Sequence, residues 1–331
     1  MRTPRFWSQK DSISRALSDA LRPVGWVYGK ITVWRANRPW IYRARARVIC
    51  VGNLTVGGSG KTPVAIAIAN LIAQRNVKPF FLTRGYGGRL RGPIEVNPRT
   101  HTAREVGDEP LLLANAAPTV VSRDRPAGAE YADRHGADVI VMDDGHQNSR
   151  LRKQISFVVV DANTGFGNRR ILPAGPLREP VKDGLRRAHA VILVGGDQTT
   201  KISGYRGLVF RVKLVAQDSP ALHERPVMAF AGIGQPRKFL QSLRDLGVQV
   251  RSMKSFADHH IYTPKEISAM QAKAAETGAL LVTTEKDYVR IPPRRRKGIA
   301  FVPLRAEFED PEAFQTFLDR HSIPSRQTET A

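Results

Sequence analysis

A chain of 331 residues, 41% of them hydrophobic, is long enough for two hydrophobic cores and suits a globular protein of about two domains. No run approaches the ~18 consecutive apolar residues of a membrane span. The start, MRTPRFWSQKDS, lacks the apolar stretch and cleavage site of a secretory leader, and the single Cys50 excludes an intramolecular disulfide, which fits a reduced, cytoplasmic setting. The net charge of +22 favours polyanions: nucleic acid, anionic lipid or a phosphorylated substrate.

Much of that charge lies at the start. Residues 1–47 hold eleven basic side chains against two acidic ones, Asp11 and Asp19. Ile13, Leu17, Ala20, Leu21, Val24, Val27, Tyr28 and Ile31 fall at helical spacing, with Arg15, Asp19, Arg22 and Lys30 between them. Pro23 is expected to split the segment into two short helices or to kink one. Trp7, Trp26, Trp34 and Trp40 are all four tryptophans of the chain. Such a segment can lie in a membrane interface. It can equally be a surface helix that packs its apolar stripe on the core.

A β-α alternation follows. Strands are expected at Arg47–Gly52, Lys78–Thr83, Ala137–Met142, Ser156–Val160 and Ala188–Val194, and helices at Val64–Arg75 and Ala127–His135. Strands alternating with helices imply a parallel sheet covered on both faces. Around Tyr205–Pro220 the pattern becomes partly alternating, like a strand pair or connector. A second run then begins: strand Val227–Ile233, helix Pro236–Leu246, strand Val248–Ser252, helix Pro264–Thr277 and strand Ala279–Thr284. "PPRRRKG" (292–298) is a basic loop, the tail SRQTETA is expected to be disordered, and there is no internal repeat. The fold class is α/β: a P-loop NTPase-like parallel sheet flanked by helices, with a second, smaller α/β domain joined by a β linker. The expected division is a basic N-terminal segment (1–46), a P-loop core (47–204), a linker (205–222) and the smaller domain (223–331).

The stretch "VGNLTVGGSGKTP" (51–63) has the parts of a phosphate loop. An apolar strand leads in, and Gly57, Gly58 and Gly60 permit positive φ and close backbone approach. Their N–H groups, with Ser59 and the N-terminus of the next helix, make an anion nest. Lys61 reaches the β/γ-phosphates and the Thr62 hydroxyl can ligate Mg²⁺. Thr55 stands where the general G-x-x-x-x-G-K-[ST] fingerprint has Gly. "ADVIVMDDGHQ" is an apolar strand ending in Asp143 and Asp144, where P-loop enzymes hold Mg²⁺. A chance Gly-rich turn, or an Asp that merely caps a turn, is the plainer alternative; the pairing of the two motifs argues for ATP or GTP with Mg²⁺.

Other strand ends carry chemistry-bearing residues. "TRGYGGRLRG" offers Arg84 and Tyr86 to an anionic ligand, "EVGDEPLLL" places Asp108 and Glu109 before an apolar helix, and "VVSRDRPAGA" puts Arg123 and Arg125 at a strand end. "GFGNRRILPAGPLREP" (165–180) is rich in Gly, Pro and Arg with little local reason to be so. "FADHHIYTPKEI" carries Asp258, His259 and His260, and "VTTEKDYVRI" carries Glu285, Lys286 and Asp287. Taken singly, each is better explained by caps and turns; their placement at strand ends of an α/β protein shifts the balance towards a site.

Taken in order, "VGNLTVGGSGKTP", "TRGYGG", "VGDEP", "MDDGHQNSRL", "LPAGPLRE", "FADHH" and "TTEKD" resemble the motif blocks of the tetraacyldisaccharide 4′-kinases of lipid A biosynthesis, from about residue 7 to beyond 290. That family's loop also carries Thr at the position of Thr55. The resemblance implies that ATP phosphorylates the 4′-hydroxyl of an anionic, acylated glucosamine disaccharide 1-phosphate to give lipid IVA. It implies a peripheral enzyme of the cytoplasmic face of the inner membrane, acting on a lipid surface; no nucleic-acid partner is expected, and a monomer is expected although the sequence does not fix oligomeric state. By the same resemblance, Asp108 and His259 form the acid–base pair at the hydroxyl, Arg125 and Arg178 steady phosphate, and Glu179 assists metal or substrate. One departure is Asn148, where the family commonly has His after the Gln of its DDG-x-Q block. The competing readings are a nucleic-acid-dependent P-loop NTPase, against which the lack of an RNP or helix-turn-helix pattern weighs, and a non-catalytic membrane-associated nucleotide switch.

Overall fold

The computed structural model describes residues 4–7, 11–197, 199–202 and 204–323; the tail SRQTETA lies outside them. Two helices come first, α1 (Ser12–Ala20) and α2 (Arg22–Ala36). Then follow β1 (Arg47–Gly52), α3 (Lys61–Ala73), β2 (Pro79–Thr83), β3 (Ile94–Glu95), α4 (Ala103–Val106), α5 (Asp108–Ala114), β4 (Thr119–Val121), α6 (Arg125–Arg134), β5 (Val139–Asp143), β6 (Ile155–Asp161), α7 (Val181–Arg186), β7 (Ala190–Val194) and β8 (Val209–Ala216). The second run is β9 (Val227–Ala231), α8 (Pro236–Asp245), β10 (Val250–Ser255), α9 (Pro264–Glu276), β11 (Leu280–Thr284), α10 (Glu285–Tyr288) and β12 (Ile299–Val302), and β13 (Leu304–Phe308) and α11 (Pro311–Arg320) complete it.

A nine-stranded sheet has the order β13-β8-β7-β6-β1-β5-β2-β4-β3. The edge strands β13 and β3 pair antiparallel, and every pairing between them is parallel. Helices cover both faces, so β5, β6 and β7 are buried along their whole length and read as unbroken apolar runs. The chain leaves β1 towards β2 and β4 on one side, returns through β5, and crosses β1 to β6, β7 and β8 on the other. The C-terminal end of β1 is thus the switch point of the sheet, where open α/β sheets form their ligand crevice.

The division of the chain departs from expectation. β8 is no linker: it extends the large sheet beside β7, pairing Ile192 with Phe210 and Val194 with Val212. Nor does the smaller domain run to the C-terminus. β13 returns to pair antiparallel with β8, Phe308 opposite Val212, and α11 sinks Phe314, Phe317 and Leu318 into the core shared by Val51, Phe157 and Phe210. The return gives the exposed edge of β8 a partner and lays aromatic side chains over it. The second sheet, β10-β9-β11-β12, is all parallel and is an insertion between β8 and β13.

The N-terminal segment splits at Pro23, which occupies the first turn of α2 where its missing N–H is harmless. Its packing inverts the usual arrangement of a surface helix. Small residues face the protein: Ser14, Ser18, Gly25, Gly29 and Ala36 are buried. Large ones face out, with Ile13 79%, Trp26 64% and Trp34 59% exposed, and Leu17, Val24, Val27, Tyr28 and Ile31 exposed beside them. The docking partner is the Gly/Pro/Arg-rich segment 166–177. A Cβ on Gly25 would lie 2.8 Å from the Ile171 carbonyl oxygen, and one on Gly29 2.6 Å from Ile171 Cδ1. Ser18 Oγ donates to the Ala174 carbonyl at 2.6 Å and Trp7 Nε1 to that of Pro173 at 3.0 Å. Among the described residues no helix is long and apolar enough to cross a membrane.

Candidate active site

The phosphate loop leaves β1 through a buried base. Asn53 is fully buried; its Nδ2 donates to Ser59 Oγ at 3.1 Å and its carbonyl accepts Gln147 Nε2 at 3.0 Å. Gly57 and Gly58 stand exposed at the lip, and Gly60 caps α3 with φ +80° in the left-handed region. The cap starts α3 at Lys61, earlier than the apolar periodicity suggests, and puts Lys61 and the buried Thr62 in its first turn. Thr55 has a structural reason. It forms an isolated antiparallel bridge with Leu177, flanked by Val56 N–H to the Pro176 carbonyl at 2.8 Å and Arg178 N–H to that of Leu54 at 2.8 Å. An extended residue suits that bridge better than Gly would.

The two acidic residues after β5 are unlike each other. Asp144 sits at φ +53°, a conformation Asp tolerates, and its carboxylate accepts Arg178 Nη1 at 2.7 Å and Nη2 at 3.1 Å, with Lys61 Nζ 3.8 Å away. Burial opposes its ionisation, but Lys61 and Arg178 override burial and hold the carboxyl well below its usual range. Asp143 is fully buried, and neither carboxylate oxygen has a hydrogen-bond partner among the described residues. Burial foremost, then the nearby charge of Glu109, pushes its carboxyl up to about 7. An orphaned buried carboxylate is costly unless something cationic meets it. No cluster of three or more His, Cys, Asp or Glu among the described residues would hold a metal alone. Mg²⁺, however, takes one or two carboxylates and completes its shell with phosphate oxygens and water, and the free oxygens of Asp143 fit that requirement.

Three further residues are engaged in ways the sequence does not reveal. Arg125, expected to steady phosphate, is 3% exposed and donates to the backbone carbonyls of Ser122 at 2.9 Å and Asp143 at 3.3 Å. It braces the end of β5 from behind. Arg178 forks onto Asp144. Glu179 is fully buried between Arg187 Nη2 at 2.5 Å and Gln147 Nε2 at 2.9 Å, so it secures the Gln147 that holds Asn53. Asn148 caps its own turn, Oδ1 accepting the N–H of Arg150 at 3.1 Å.

Across the crevice, the insertion meets the large sheet. Asp108 opens α5 and is 6% exposed. Its Oδ2 accepts Arg290 Nε at 2.8 Å and Nη2 at 2.5 Å and lies 3.1 Å from His259 Nδ1, while Oδ1 accepts the N–H of Glu109 at 3.0 Å. Lys286 Nζ is 3.3 Å from Glu109 and 4.0 Å from Asp108. Burial would push Asp108 up, but the His259 hydrogen bond, Lys286 and Arg290 outweigh it and hold the carboxyl far below its usual range. His259 stands at φ +57°, an uncommon conformation for His outside special sites. Tyr86, 72% exposed, sets its ring edge-on to His259, centroids 6.2 Å apart. Arg84, two residues earlier in the chain, is exposed. The 84–88 and 105–108 loops interlock because Gly107, at φ +95°, lets the Tyr86 carbonyl approach where a Cβ would be 2.5 Å away. Asp108, His259, Tyr86 and Lys286 are thus brought together from four motif blocks. Arg290 is the member of this group that sequence reading misses; its only signal is its place three residues after Asp287, one helical turn on.

A polyphosphate cradle at a switch point, faced by a carboxylate of the large sheet's α5 paired with an imidazole of the inserted sheet, defines a P-loop kinase. Comparison with known proteins agrees. Residues 17–322 match the family described as tetraacyldisaccharide-1-P 4′-kinase (LpxK), and the chain belongs to that family. A tetraacyldisaccharide 4′-kinase of Rhodospirillum rubrum is 46% identical over 97% of this chain and 98% of its own, and one of Gluconacetobacter diazotrophicus is 47% identical over 96% and 98%. A solved structure of LpxK from Aquifex aeolicus in complex with ATP superposes with a TM-score of 0.76 at 28% identity, covering 92% of this chain and 99% of that one. The protein is accordingly a kinase of lipid A biosynthesis, and neither fold nor relatives favour a nucleic-acid-dependent NTPase.

Proposed function

We propose that the chain transfers the γ-phosphoryl group of ATP to the 4′-hydroxyl of a tetraacylated glucosamine disaccharide 1-phosphate, with Asp108 and His259 at the hydroxyl. The observation that carries this reading is the Asp108–His259 contact of 3.1 Å, made across two sheets beside the phosphate loop. Lys61 and the loop N–H groups hold the phosphates. Thr62 and Asp143 would hold Mg²⁺, which when bound neutralises charge developing on the β- and γ-oxygens. The sugar oxygen forms its bond to phosphorus as the bond to ADP breaks, and the hydroxyl proton passes to Asp108. A carboxylate held far below its usual range is a weak base. That suffices in a loose phosphoryl-transfer transition state, where the hydroxyl turns acidic only as its bond to phosphorus forms. Tyr86, exposed against His259, and Arg84, exposed two residues before it, are the groups proposed to meet the anionic acceptor. One chain carries every residue named, so a monomer suffices. The test is transfer of label from γ-labelled ATP to the disaccharide 1-phosphate in detergent micelles; nucleotide hydrolysis stimulated by nucleic acid, with no labelled lipid, would overturn it.

Asp143→Asn is expected to abolish transfer yet raise the melting temperature of the ligand-free protein, by a stability gain of at least about 1 kcal/mol near neutral pH. The sign follows from the raised carboxyl. Below the ordinary value of 3.8 the group is protonated folded and unfolded, and the variant gains nothing from it. As pH rises towards about 7, the wild type loses stability because only the unfolded chain ionises freely. Melting curves from pH 4 to 8 without Mg²⁺ check this.

The outward apolar face of α1 and α2 supports peripheral binding to the cytoplasmic face of the inner membrane. Basic and aromatic groups alternate along it: Lys30 lies over Trp26 at 5.5 Å and Arg38 over Trp34 at 3.7 Å. Such a face suits the boundary between headgroups and acyl chains of an anionic leaflet. The double variant Trp26→Glu/Ile31→Glu is expected to weaken co-sedimentation with phosphatidylglycerol vesicles by on the order of tenfold or more. Its stability should stay within about 0.5 kcal/mol, because neither side chain packs on the core. Undiminished vesicle binding would refute the assignment.

A further inference from the structure

We infer that Arg290 is a positioning residue for the transfer, fixing the orientation of Asp108 and tying it to the inserted sheet. The inference rests on the reading of Asp108 as the group at the acceptor hydroxyl and goes beyond it. Arg290 is almost wholly buried, its side chain 5% exposed. Its guanidinium is used on both sides. Nε and Nη2 bind Asp108 Oδ2, while Nη1 donates to the Gly232 carbonyl at 2.7 Å and to Asp287 Oδ1 at 2.9 Å. Asp287 is itself immobilised, accepting the Tyr262 hydroxyl at 2.8 Å, Gly232 N–H at 3.0 Å and Thr284 Oγ1 at 2.6 Å. A rigid fork therefore joins the end of β9 and the turn after β11 to the first residue of α5 on the large sheet.

The arrangement has a direction. Arg290 and His259 both converge on Oδ2 of Asp108, and among the described residues only the N–H of Glu109 reaches Oδ1. Oδ2 is the anchored oxygen, which leaves Oδ1 to meet a hydroxyl. Nη2 also lies 3.4 Å from His259 Nδ1, so the guanidinium touches both members of the dyad. The charged groups facing this point from every packed element are Glu109 of α5, Asp258 beside His259, and Lys286 and Asp287 of α10. Lys286 is more exposed and contacts Glu109 more closely than Asp108, so it adds charge without the fork.

The experiment compares Arg290→Gln, Arg290→Lys and Asp108→Asn in the lipid-transfer assay across pH, with ATP affinity and melting temperature as controls. Arg290→Gln should lower kcat about 100-fold, the scale of a misplaced reacting group, with ATP affinity within twofold of wild type. Its acid limb in kcat/KM should move to higher pH, because a carboxylate without its cation protonates more readily. Arg290→Lys should return the acid limb and restore only part of kcat, having charge but no fork. An unshifted acid limb in Arg290→Gln overturns the inference, as does full activity in that variant. Near-normal transfer by Asp108→Asn instead removes the reading of Asp108 on which it rests. A dead Asp108→Asn beside a normal Arg290→Gln removes only the role of Arg290.

Discussion

Asp108→Asn is expected to reduce transfer to lipid by about 10²–10⁴-fold, the range over which a positioned proton acceptor contributes. Affinity for ATP should be nearly unchanged, because Asp108 lies on α5 while the phosphates belong to the loop after β1. Stability should fall as well. Arg290, buried with Asp108, keeps an oxygen to bind but loses the opposite charge, and a buried pair broken on one side is strongly destabilising. The pH dependence distinguishes the two effects. Asp108 has a depressed carboxyl, so its contribution to wild-type stability is complete above the ordinary value of 3.8 and is lost as pH falls further. The stability gap between variant and wild type should therefore narrow only in strong acid, while the rate defect persists through neutral pH. Single-turnover transfer and urea unfolding, each at several pH values, would show this. A variant with wild-type kcat would end the assignment of Asp108 to the hydroxyl.

Lys61→Met should be nearly as severe and should fail differently. Lys61 is in the first turn of α3, its side chain 11% exposed and its Nζ 3.8 Å from Asp144. Removing one preorganised cation from a developing phosphoryl charge costs about 10²–10³ in kcat, and the ground-state complex with ATP should weaken too. The fold should tolerate the loss, because Asp144 keeps its two bonds from Arg178. Equilibrium ATP binding and kcat measured on the same preparation would separate the two losses. Full turnover in this variant would mean that the cradle works through its N–H groups alone.

Strands buried on both faces were legible because burial leaves an unbroken apolar run, as in Ile155–Asp161 and Ala190–Val194. The return of β13 and α11 to the large sheet was not, because nothing local in "LRAEF" or in Phe314 and Phe317 names a partner about a hundred residues earlier. The same limit applied at the site. Gly60, Lys61 and Thr62 were readable since loop and helix start are contiguous in sequence, whereas the Asp108–His259 contact spans 151 positions and was expected only through the family resemblance. Arg125 misled for the opposite reason: a basic residue at a strand end suggests an anion, yet here its donors go to main-chain carbonyls behind Asp143. Charge type is visible in a sequence; the direction a side chain takes is not.

The inverted N-terminal helices bear on how the protein can be handled. Their small-residue face covers Ile171 and binds the Ala174 carbonyl through Ser18, Trp7 ahead of them binds that of Pro173, and the same segment, two residues later, binds the first residues of the phosphate loop through Pro176, Leu177 and Arg178. Cutting away residues 1–36 to obtain a detergent-free preparation would therefore bare the underside of that segment and leave the start of the nucleotide cradle supported from one side only. A truncated enzyme that turns over ATP poorly would be reporting a lost buttress. Point changes on the outward face leave that buttress in place and test the face alone.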